Sequence, residues 1–547
     1  MISGAQAMVR ALENEHVSTV FGYPGAAICP FYDALLDSSI RHVLTRHEQA
    51  AAHAANGYAR ATGRTGVCIA TSGPGATNLI TGIATAYMDS IPMVAITGQV
   101  STDLIGSDSF QEADITGAVS PFTKHTYLVR QAQDLPRILK EAFYIAATGR
   151  PGPVLVDIPM DIQTALFTYA EPGAPALPGY HPVTTVSESS LAELAGLLAS
   201  SSKPIICAGG GIISSGASAS LLKLSENHQI PVVTTMMGIG SLPSDHGNNL
   251  GTLGSHGVFA ANYALHQADL VILAGARVGN RAMGSAAEIA RRAKIVHIDI
   301  DPAEIGKNID TQLAVVADCR QFLDAMLDQA LPLNYPEWLE QVRAIRSESA
   351  FSSYTEAPSQ TIHPPSLMRQ LGLSCQPDTI VTTEVGQNQI WAANHYPIRQ
   401  PRTFISSGGM GTMGYGLPSA LGAKVAWPDK TVLAISGDGS LQMSLQELGT
   451  IRQEQAAVKI ILLNNARLGM VHELQSLKYQ RYSQVFLEEN PDFSLLAKAY
   501  GFGYARLDSN DQTKAAVEAM LSESGPYLLE CIVDPHEPTL YPRKKGS

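Results

Sequence analysis

The segment Gly437-Asp438-Gly439-Ser440, followed by Asn464-Asn465, is the part of this sequence that indicates its fold class. Between the two motifs, Leu441 to Gln453 has the pattern of an amphipathic helix, and Val458 to Leu463 that of a buried strand. Both motifs are therefore expected at the carboxyl ends of parallel strands, where open α/β sheets bind their ligands. A carboxylate, an amide oxygen and a turn carbonyl suit a hard cation such as Mg²⁺, which water and phosphate oxygens complete.

The glycines of this segment let backbone N–H groups approach a diphosphate group closely. A GDG motif followed at this distance by NN resembles the thiamine diphosphate motif. The alternative interpretation is a polar turn between a strand and a helix that binds no ligand. The motifs elsewhere in the chain favour the cofactor site.

Glu48 is the candidate acid–base residue. It lies between a predicted strand, His42 to Leu44, and the Ala-rich run Ala50 to Ala55. At such a packed junction we expect the carboxylate to be poorly solvated, which suits a group that shares a proton. In thiamine diphosphate enzymes one glutamate hydrogen-bonds the pyrimidine ring and favours its imino tautomer, and Glu48 resembles that residue. The alternative is a carboxylate that only interacts with the dipole at a helix start.

Composition and charge exclude several classes of function. The chain has 547 residues, 45% hydrophobic and 16% charged, which predicts a globular protein of about three domains. A net charge of −12 without a long basic run argues against a nucleic-acid partner. Six scattered cysteines argue against a zinc site or a disulfide framework. No apolar run approaches the ~20 residues of a membrane span, and the helical pattern from Ala5 leaves no room for a signal peptide. We expect a cytoplasmic protein with no membrane partner.

Short apolar strands alternate with helical patterns, which predicts three α/β units, each a doubly wound parallel sheet. The expected boundaries are 1–170, 187–331 and 360–547. The Pro/Gly-rich stretch Glu171 to Gly179 separates the first two units, and the polar stretch Ser347 to Gln360 leads into the third. Besides the strands named above, those expected are Thr19 to Phe21, Val67 to Ala70, Met93 to Thr97, Val154 to Asp157, Pro204 to Ala208, Val232 to Thr235, Leu270 to Ala274, Ile295 to Ile300, Thr379 to Thr383, Thr431 to Ser436 and Tyr527 to Val533.

Further turns could serve a ligand. Gly73 to Asn78 follows a strand and opens a helix, which suits either a polar ligand or a simple tight turn. Gly409 to Gly414 fits G-x-G-x-x-G, but the metal motif at Gly437 follows where a nicotinamide site needs an acid. In the middle unit, glycine turns at several strand ends, with arginines and an acid, suit a dinucleotide such as FAD. No second residue has the spacing that would make His256 a metal ligand.

Together these segments resemble the catalytic subunit of acetohydroxyacid synthase, also named acetolactate synthase. The resemblance extends from about Phe21 to about Leu529, nearly the whole chain. The family-like stretches are Thr71 to Leu79, Ile91 to Gln99, Gly149 to Val154, Gly411 to Pro418 and Gln446 to Thr450. The resemblance implies an N-terminal pyrimidine-binding unit, a central FAD-type unit and a C-terminal diphosphate-binding unit.

The resemblance also implies the activity. Pyruvate is decarboxylated on thiamine diphosphate, and the remaining two-carbon unit is joined to a second 2-keto acid, either pyruvate or 2-ketobutyrate. FAD has a structural place without a redox role. Cofactor sites form between two subunits, so at least a dimer is implied; homodimer against homotetramer, and the binding of a regulatory subunit, stay open.

The family's functional residues can be assigned by position. The catalytic residues are Glu48, Phe110, Gln111 and Arg281, and the Mg²⁺ ligands are Asp438, Asn465 and the carbonyl of Arg467. Thiamine diphosphate contacts are expected from Pro24, Glu48, Pro74, Asn78, Val385, Gly386, Gln387, Asn388, Gly411, Met413, Gly437, Asp438, Gly439, Ser440, Asn465, Leu468, Gly469 and Met470. FAD contacts are expected from Gly210, Gly211, Thr235, Leu253, Gly254, His256, Gly275, Arg277, Asp299, Ile300 and Asp318.

The chain departs from the family at a few positions. Met160 stands where the family has Lys, Ser255 where it has Met, and Asn280 where it has Asp. His472 replaces an Arg, and Leu474 replaces a Trp to which the family owes its preference for the larger acceptor and its herbicide binding. Losing that rigid surface predicts a reduced preference for 2-ketobutyrate and weak sensitivity to sulfonylurea-type inhibitors.

Two other functions stay open at this stage. The first is another thiamine diphosphate enzyme, either a decarboxylase that releases aldehyde or a carboligase with a different acceptor. The second is a non-catalytic subunit, against which the presence of both Glu48 and Asp438 argues.

Overall fold

The computed structural model describes residues 1–183, 185–284, 286–329, 331–351 and 361–540. Three sheets, each of six parallel strands, follow one another along the chain. This confirms the predicted fold class. Residues 352–360 of the predicted polar stretch and residues 541–547 lie outside the described residues.

The first unit alternates strands and helices. Its elements are β1 (Ile2–Ser3), α1 (Gly4–Asn14), β2 (Thr19–Gly22), α2 (Cys29–Leu35), β3 (Arg41–Leu44), α3 (Glu48–Thr62), β4 (Gly66–Ala70), α4 (Pro74–Asn78), α5 (Ile80–Asp89), β5 (Met93–Gln99), α6 (Ile115–Val119), β6 (His125–Leu128), α7 (Leu135–Ala147), β7 (Pro153–Pro159), α8 (Met160–Thr164) and β8 (Leu166–Phe167). The sheet order is β3-β2-β4-β5-β7-β6, and β1 pairs antiparallel with β8. The chain runs from β2 outward to β3 and returns to β4, which makes a topological switch point between β2 and β4.

The central unit has a different strand order. Its elements are α9 (Glu188–Ala199), β9 (Pro204–Ala208), α10 (Gly210–Ser214), α11 (Ser218–His228), β10 (Val232–Thr234), β11 (Asn249–Thr252), α12 (Phe259–Gln267), β12 (Leu270–Ala274), α13 (Asn280–Met283), α14 (Ala286–Arg292), β13 (Lys294–Asp299), β14 (Leu313–Val316), α15 (Cys319–Asp328) and α16 (Pro336–Phe351). The sheet order β11-β10-β9-β12-β13-β14 is that of doubly wound dinucleotide-binding sheets. Its switch point lies between β9 and β12.

The third unit repeats the strand order of the first. Its elements are α17 (Pro364–Ser374), β15 (Ile380–Thr383), α18 (Gln387–His395), β16 (Phe404–Ile405), α19 (Gly416–Ala426), β17 (Val432–Gly437), α20 (Asp438–Leu441), α21 (Glu447–Gln453), β18 (Val458–Asn464), α22 (Gly469–Tyr479), α23 (Phe493–Tyr500), β19 (Gly503–Leu507), α24 (Thr513–Ser522) and β20 (Tyr527–Ile532). The order β16-β15-β17-β18-β20-β19 places its switch point between β15 and β17. The metal motif follows β17.

The strands expected from sequence are all present, with small shifts at their ends. The single helix expected over Leu441 to Gln453 is wrong, because the helical segment is broken between α20 and α21. The side-chain amide of Gln442 donates to the Asp438 carbonyl at 3.0 Å. Residues Gln442–Ser444 then form a 3-10 turn, and regular α-helix resumes only at Glu447.

Helix α3 of the first unit packs against helix α19 of the third. A Cβ at Gly57 would lie 2.2 Å from the carbonyl oxygen of Ser419, and one at Gly422 would lie 1.9 Å from that of Ala54. The two glycines therefore permit backbone contact, and residues of both units share one apolar core. Among the described residues, no helix is long and apolar enough to cross a membrane.

Candidate active site

The two metal-motif residues lie side by side. Strands β17 and β18 are neighbours in register, so Asp438 and Asn465 both follow their carboxyl ends. Oδ2 of Asp438 accepts a hydrogen bond from Nδ2 of Asn490 at 2.7 Å, and Oδ1 of Asn465 accepts one from the Arg467 N–H at 3.2 Å. Burial raises the pKa of Asp438, while the Asn490 contact lowers it.

A small cavity of about 60 Å³ opens at these strand ends. Its walls hold all residues of the third unit that are assigned above to thiamine diphosphate or Mg²⁺, except Gly411; Pro24, Glu48, Pro74 and Asn78 of the first unit do not line it. Its lining is Val385, Gly386, Gln387, Asn388, Trp391, Met413, Gly437, Asp438, Gly439, Ser440, Leu463, Asn465, Arg467, Leu468, Gly469, Met470 and Val471. This volume suits a hydrated cation with part of a diphosphate, so the rest of a cofactor would lie outside this cavity.

The walls have the chemistry that such a ligand needs. A Cβ at Gly469 would lie 1.9 Å from Oε1 of Gln387, and one at Gly437 would lie 3.0 Å from Nδ2 of Asn388. The buried Oδ1 of Asn388 has no hydrogen-bond partner among the described residues, so this amide can turn toward a ligand. No cluster of three His, Cys, Asp or Glu side chains forms in the described part of the chain. A cation here would therefore depend on amide, carbonyl and phosphate oxygens beside Asp438.

Glu48 begins α3, after the edge strand β3, and contacts the segment that follows β4. Its Oε2 accepts a hydrogen bond from Nδ2 of Asn78 at 2.9 Å, and a Cβ at Gly75 would lie 3.3 Å from its Oε1. Pro24, which follows β2, and Pro74, which follows β4, are both exposed. Glu48 is half-buried in the single chain, less enclosed than the sequence suggested.

The loop that carries Phe110 and Gln111 packs on the same turn. A Cβ at Gly73 would lie 2.9 Å from the carbonyl oxygen of Gln111, and Gln111 itself has a φ of 60°. The Glu112 carboxylate holds the loop by accepting from the N–H groups of Gly106 and Ser109. Phe110 is 88% exposed and therefore available to another surface.

The fold gives two half-sites. Neither Glu48, Asn78 nor Gln111 is among the described residues that line the cavity at Asp438. The pyrimidine-side residues and the diphosphate-side residues therefore form separate groups within one chain.

A larger cavity of about 1400 Å³ lies against the central sheet. It is lined by most of the residues assigned to FAD: Gly210, Gly211, Thr235, Leu253, His256, Gly275, Arg277, Asp299 and Ile300. Gly254 does not line it. Asp318 does not either, because its carboxylate caps α15 by accepting from the N–H groups of Arg320 and Gln321. Burial raises the pKa of Asp299.

The two cavities adjoin. Val385, Gly386 and Met470 line both of them, and Gly411 lines the larger one. Arg281 and the departing residue Asn280 also line the larger cavity, where both are exposed. The other departures are dispersed, since Met160 begins α8 and Leu474 lies half-buried on α22.

His472 makes aromatic contacts. Its ring stacks on Tyr482 with centroids 4.4 Å apart and planes 8° apart. Its Nε2 lies 3.2 Å from Nη1 of Arg467, whose guanidinium lies over the Phe486 ring. Burial and the Arg467 charge lower the pKa of His472.

The C-terminal segment folds over the diphosphate side. The Glu473 carboxylate accepts from the Thr539 N–H and hydroxyl and from the Leu540 N–H. The Trp391 indole donates to the Pro538 carbonyl at 3.1 Å. Residues 535–540, called the C-terminal strap below, thus contact both α18 and α22.

The sequence did not indicate three residues that support the site. Asn490 bonds to Asp438, Glu473 holds the C-terminal strap, and Glu447 holds the turn before Glu48. Asn490 follows no motif. The only signal for Glu473 was its place in Gly469 to Leu474, where the family pattern has a different residue.

Known proteins match the chain over its length. Residues 2–118 match the N-terminal TPP binding domain of thiamine pyrophosphate enzymes, 191–326 match their central domain, and 384–531 match their C-terminal TPP binding domain. The acetolactate synthase isozyme 2 large subunit of Escherichia coli K12 is 47% identical over 97% of this chain and 96% of its own length. The chain belongs to the acetolactate synthase large-subunit family.

Other relatives agree with this family. A protein of Methanocaldococcus jannaschii named "Probable acetolactate synthase large subunit" is 47% identical over 98% of this chain and 93% of its own length. The acetolactate synthase large subunit of Lactococcus lactis is 42% identical over 98% and 94%. Membership of the acetolactate synthase family makes this chain a thiamine diphosphate-dependent enzyme, a transferase, and confirms the resemblance found in the sequence.

Proposed function

We propose that the chain is the catalytic subunit of an acetolactate synthase of branched-chain amino acid biosynthesis. It would decarboxylate pyruvate and join the two-carbon unit to a second 2-keto acid. The observation that carries this is the pairing of Asp438 and Asn465 beside the switch point between β15 and β17. Thiamine diphosphate, when bound, supplies the electron sink that allows carbon dioxide to leave.

Asp438, Asn465 and the carbonyl of Arg467 would hold Mg²⁺. The glycines of the small cavity and the amides of Gln387 and Asn388 would hold the diphosphate, because they offer N–H donors without side-chain bulk. Burial keeps water away from this charge pairing and strengthens it.

Glu48 would accept or donate the proton at the pyrimidine ring, and Asn78 orients its carboxylate. The separation of Glu48 from the cavity at Asp438 supports a site completed by a second copy, hence a homodimer or homotetramer. Gln111 and Phe110 would face the reacting groups from the loop on Gly73. Arg281 would pair with the acceptor carboxylate by a bidentate contact.

FAD would occupy the larger cavity and have a structural role. The strand order of the central sheet and the glycine turns after β9 and β12 support this, whereas Asp318 and Gly254 are not supported as contacts. We keep the boundaries 1–170, 187–331 and 360–547 for the three domains. The six free cysteines support a cytoplasmic location, and the relatives' names as large subunits support a small regulatory partner.

The experiment is to identify the product that the purified chain forms from pyruvate with thiamine diphosphate and Mg²⁺, with and without 2-ketobutyrate. Acetolactate as the main product supports the proposal. Glu48→Gln should lower the rate by at least about 100-fold, while Glu141→Gln, a buried carboxylate remote from the site, should not. Acetaldehyde alone, or no turnover of pyruvate, would replace the synthase by the decarboxylase or by a carboligase with another substrate.

A further inference from the structure

A buried carboxylate of the third unit holds the turn that precedes Glu48. The backbone N–H of Arg46 donates to Oε1 and Oε2 of Glu447 at 3.0 and 3.2 Å. The hydroxyl of Thr450 donates to Oε2 of Glu447 at 2.7 Å. Glu447 is completely buried, so these contacts replace its hydration.

Further contacts attach the same turn to α21. The Arg46 guanidinium donates to the carbonyl of Leu44 at 3.0 Å and to Oε1 of Gln453 at 2.7 Å. The Thr450 hydroxyl, whose single proton is closer to Glu447, lies 3.3 Å from the Leu44 carbonyl oxygen. The end of β3 and the start of α3 are thus attached to α21 by side-chain and backbone groups together.

Helix α21 is close in the chain to the metal motif. Asp438 begins α20, a short turn follows, and Glu447 begins α21. Burial raises the pKa of Glu447 to about 7, while the Thr450 hydroxyl and the Arg46 N–H lower it. A buried carboxylate surrounded by donors is costly to misplace, because any shift leaves the charge or the donors unpaired.

We propose that Glu447 is a positioning residue that sets the place of Glu48 and ties it to the segment carrying Asp438. This rests on the proposed function of Glu48. Among the described residues, Glu447 neither lines the small cavity nor hydrogen-bonds Glu48, so it acts through the Arg46-His47 turn. The Glu447 carboxylate thereby joins two half-sites of one chain, the one at the pyrimidine side and the one at the diphosphate side.

The test measures proton exchange separately from cofactor binding. Wild type, Glu447→Gln, Glu447→Ala, Glu48→Gln and the double variant Glu48→Gln/Glu447→Gln are loaded with thiamine diphosphate and Mg²⁺. The rate of deuterium exchange at the thiazolium C2 position is measured by NMR after acid quench, and the dissociation constant by calorimetry. Glu141→Gln is the matched control, because it replaces another buried carboxylate that Tyr127 and Arg137 contact.

Glu447→Gln keeps the size of the side chain but turns one acceptor into a donor. We expect exchange to slow by at least about tenfold, with the dissociation constant within about threefold of wild type. In the double variant, exchange should be no slower than in Glu48→Gln. The glutamine at position 48 already lacks the acid–base group, so displacing it cannot slow exchange much further. A folded Glu447→Ala variant should slow deuterium exchange by a larger factor than Glu447→Gln.

Three results would overturn the inference. These are unchanged exchange in Glu447→Gln, equal losses of exchange and cofactor affinity, or effects of Glu48→Gln and Glu447→Gln that multiply. The proposed function fails differently, since wild type would then bind no thiamine diphosphate, or Glu48→Gln would exchange at the wild-type rate.

Discussion

Nδ2 of Asn465 donates a hydrogen bond to Oε1 of Gln387 at 3.0 Å. The contact joins the residues that follow β18 and β15, across the intervening strand β17. It turns the amide of Asn465 so that its Oδ1 is the end left for the Arg467 N–H and a cation. Gln387 in turn donates from Nε2 to Glu473 and to the Glu537 carbonyl.

Gln387→Leu should weaken Mg²⁺-dependent binding of thiamine diphosphate by roughly tenfold. The substitution leaves the Asn465 amide without its orienting partner, a loss of about 1–2 kcal/mol. Calorimetric titration checks this. Gln475→Leu is the control, because the Gln475 side chain bonds, in the described part of the chain, only to the backbone of the exposed Ser483. Wild-type affinity in Gln387→Leu would contradict the orienting role.

Asp438→Asn should reduce Mg²⁺-dependent cofactor binding by at least about 100-fold, since it removes the single carboxylate of the cation site. Asp492→Asn, which exchanges one good N-cap residue for another in the same unit, should leave both stability and affinity close to wild type. Equal binding by the two variants would remove Asp438 from the metal site. Binding by both variants is measured by titration with Mg²⁺ and Mn²⁺ at a fixed concentration of thiamine diphosphate.

Glu473→Ala should release the C-terminal strap. The N–H groups of Thr539 and Leu540 lose their acceptor, so their hydrogen exchange should accelerate by at least about tenfold. Exchange of the peptide spanning 535–540 is followed by mass spectrometry. Glu473→Gln keeps one carbonyl acceptor and should give a smaller increase. Protection that persists in Glu473→Ala would show that Trp391 and Gln387 hold the strap without it.

Leu474→Trp should raise the preference for 2-ketobutyrate over pyruvate as acceptor by roughly tenfold. A large rigid side chain adds apolar contact worth about 1–3 kcal/mol in such a pocket. The check is competition between equal keto acids, with both products quantified. Leu477→Trp lies on the same helix but is 62% exposed, so it should change nothing. A wild-type enzyme that already forms mainly acetohydroxybutyrate would contradict the effect assigned to Leu474.

The unfolding midpoint in urea should fall as pH rises from 4 to 7, in part through Asp157. Burial raises the pKa of Asp157 from 3.8 to about 7, while hydrogen bonds from Thr97 and Gln99 lower it. Because the folded state holds the proton more tightly, its contribution is full below about pH 4 and lost through about pH 7. The loss is on the order of 4 kcal/mol at most.

Asp157→Asn should flatten this part of the pH profile, because the group no longer titrates. Asp37→Asn, an exposed change in the same unit, should leave the profile as in wild type. Profiles of Asp157→Asn and wild type with the same slope would mean that Asp157 does not titrate in this range.

The parallel sheets and the cation motif were predictable because they depend on short-range pattern. Asp438 directly follows β17, and Asn465 directly follows β18. Because β17 and β18 are neighbouring parallel strands, the two residues lie at the same edge of the sheet. The break between α20 and α21 was not predictable. The apolar positions of Leu441 to Gln453 fit one helix, whereas the chain forms a 3-10 turn over Gln442–Ser444 within it.

The assignment of Asp318 shows the limit of position alone. A carboxylate after a strand can face a ligand or cap the next helix, and here it caps α15. The two roles have the same sequence pattern; Oδ1 of Asp318 makes the cap, and its contact with FAD stays a prediction.

The sequence by itself determined three parallel-sheet units, the placement of Asp438 and Asn465 at the ends of neighbouring strands, and the family to which the chain belongs. These follow from hydrophobic period, glycine turns and spacing, which are local properties. The tertiary structure alone decided that Glu48 lies apart from Asp438 within one chain, and that Glu447 holds its turn from the other unit. Such contacts join residues hundreds of positions apart, so they exist only once burial has packed the units together and forced their buried polar groups to find partners.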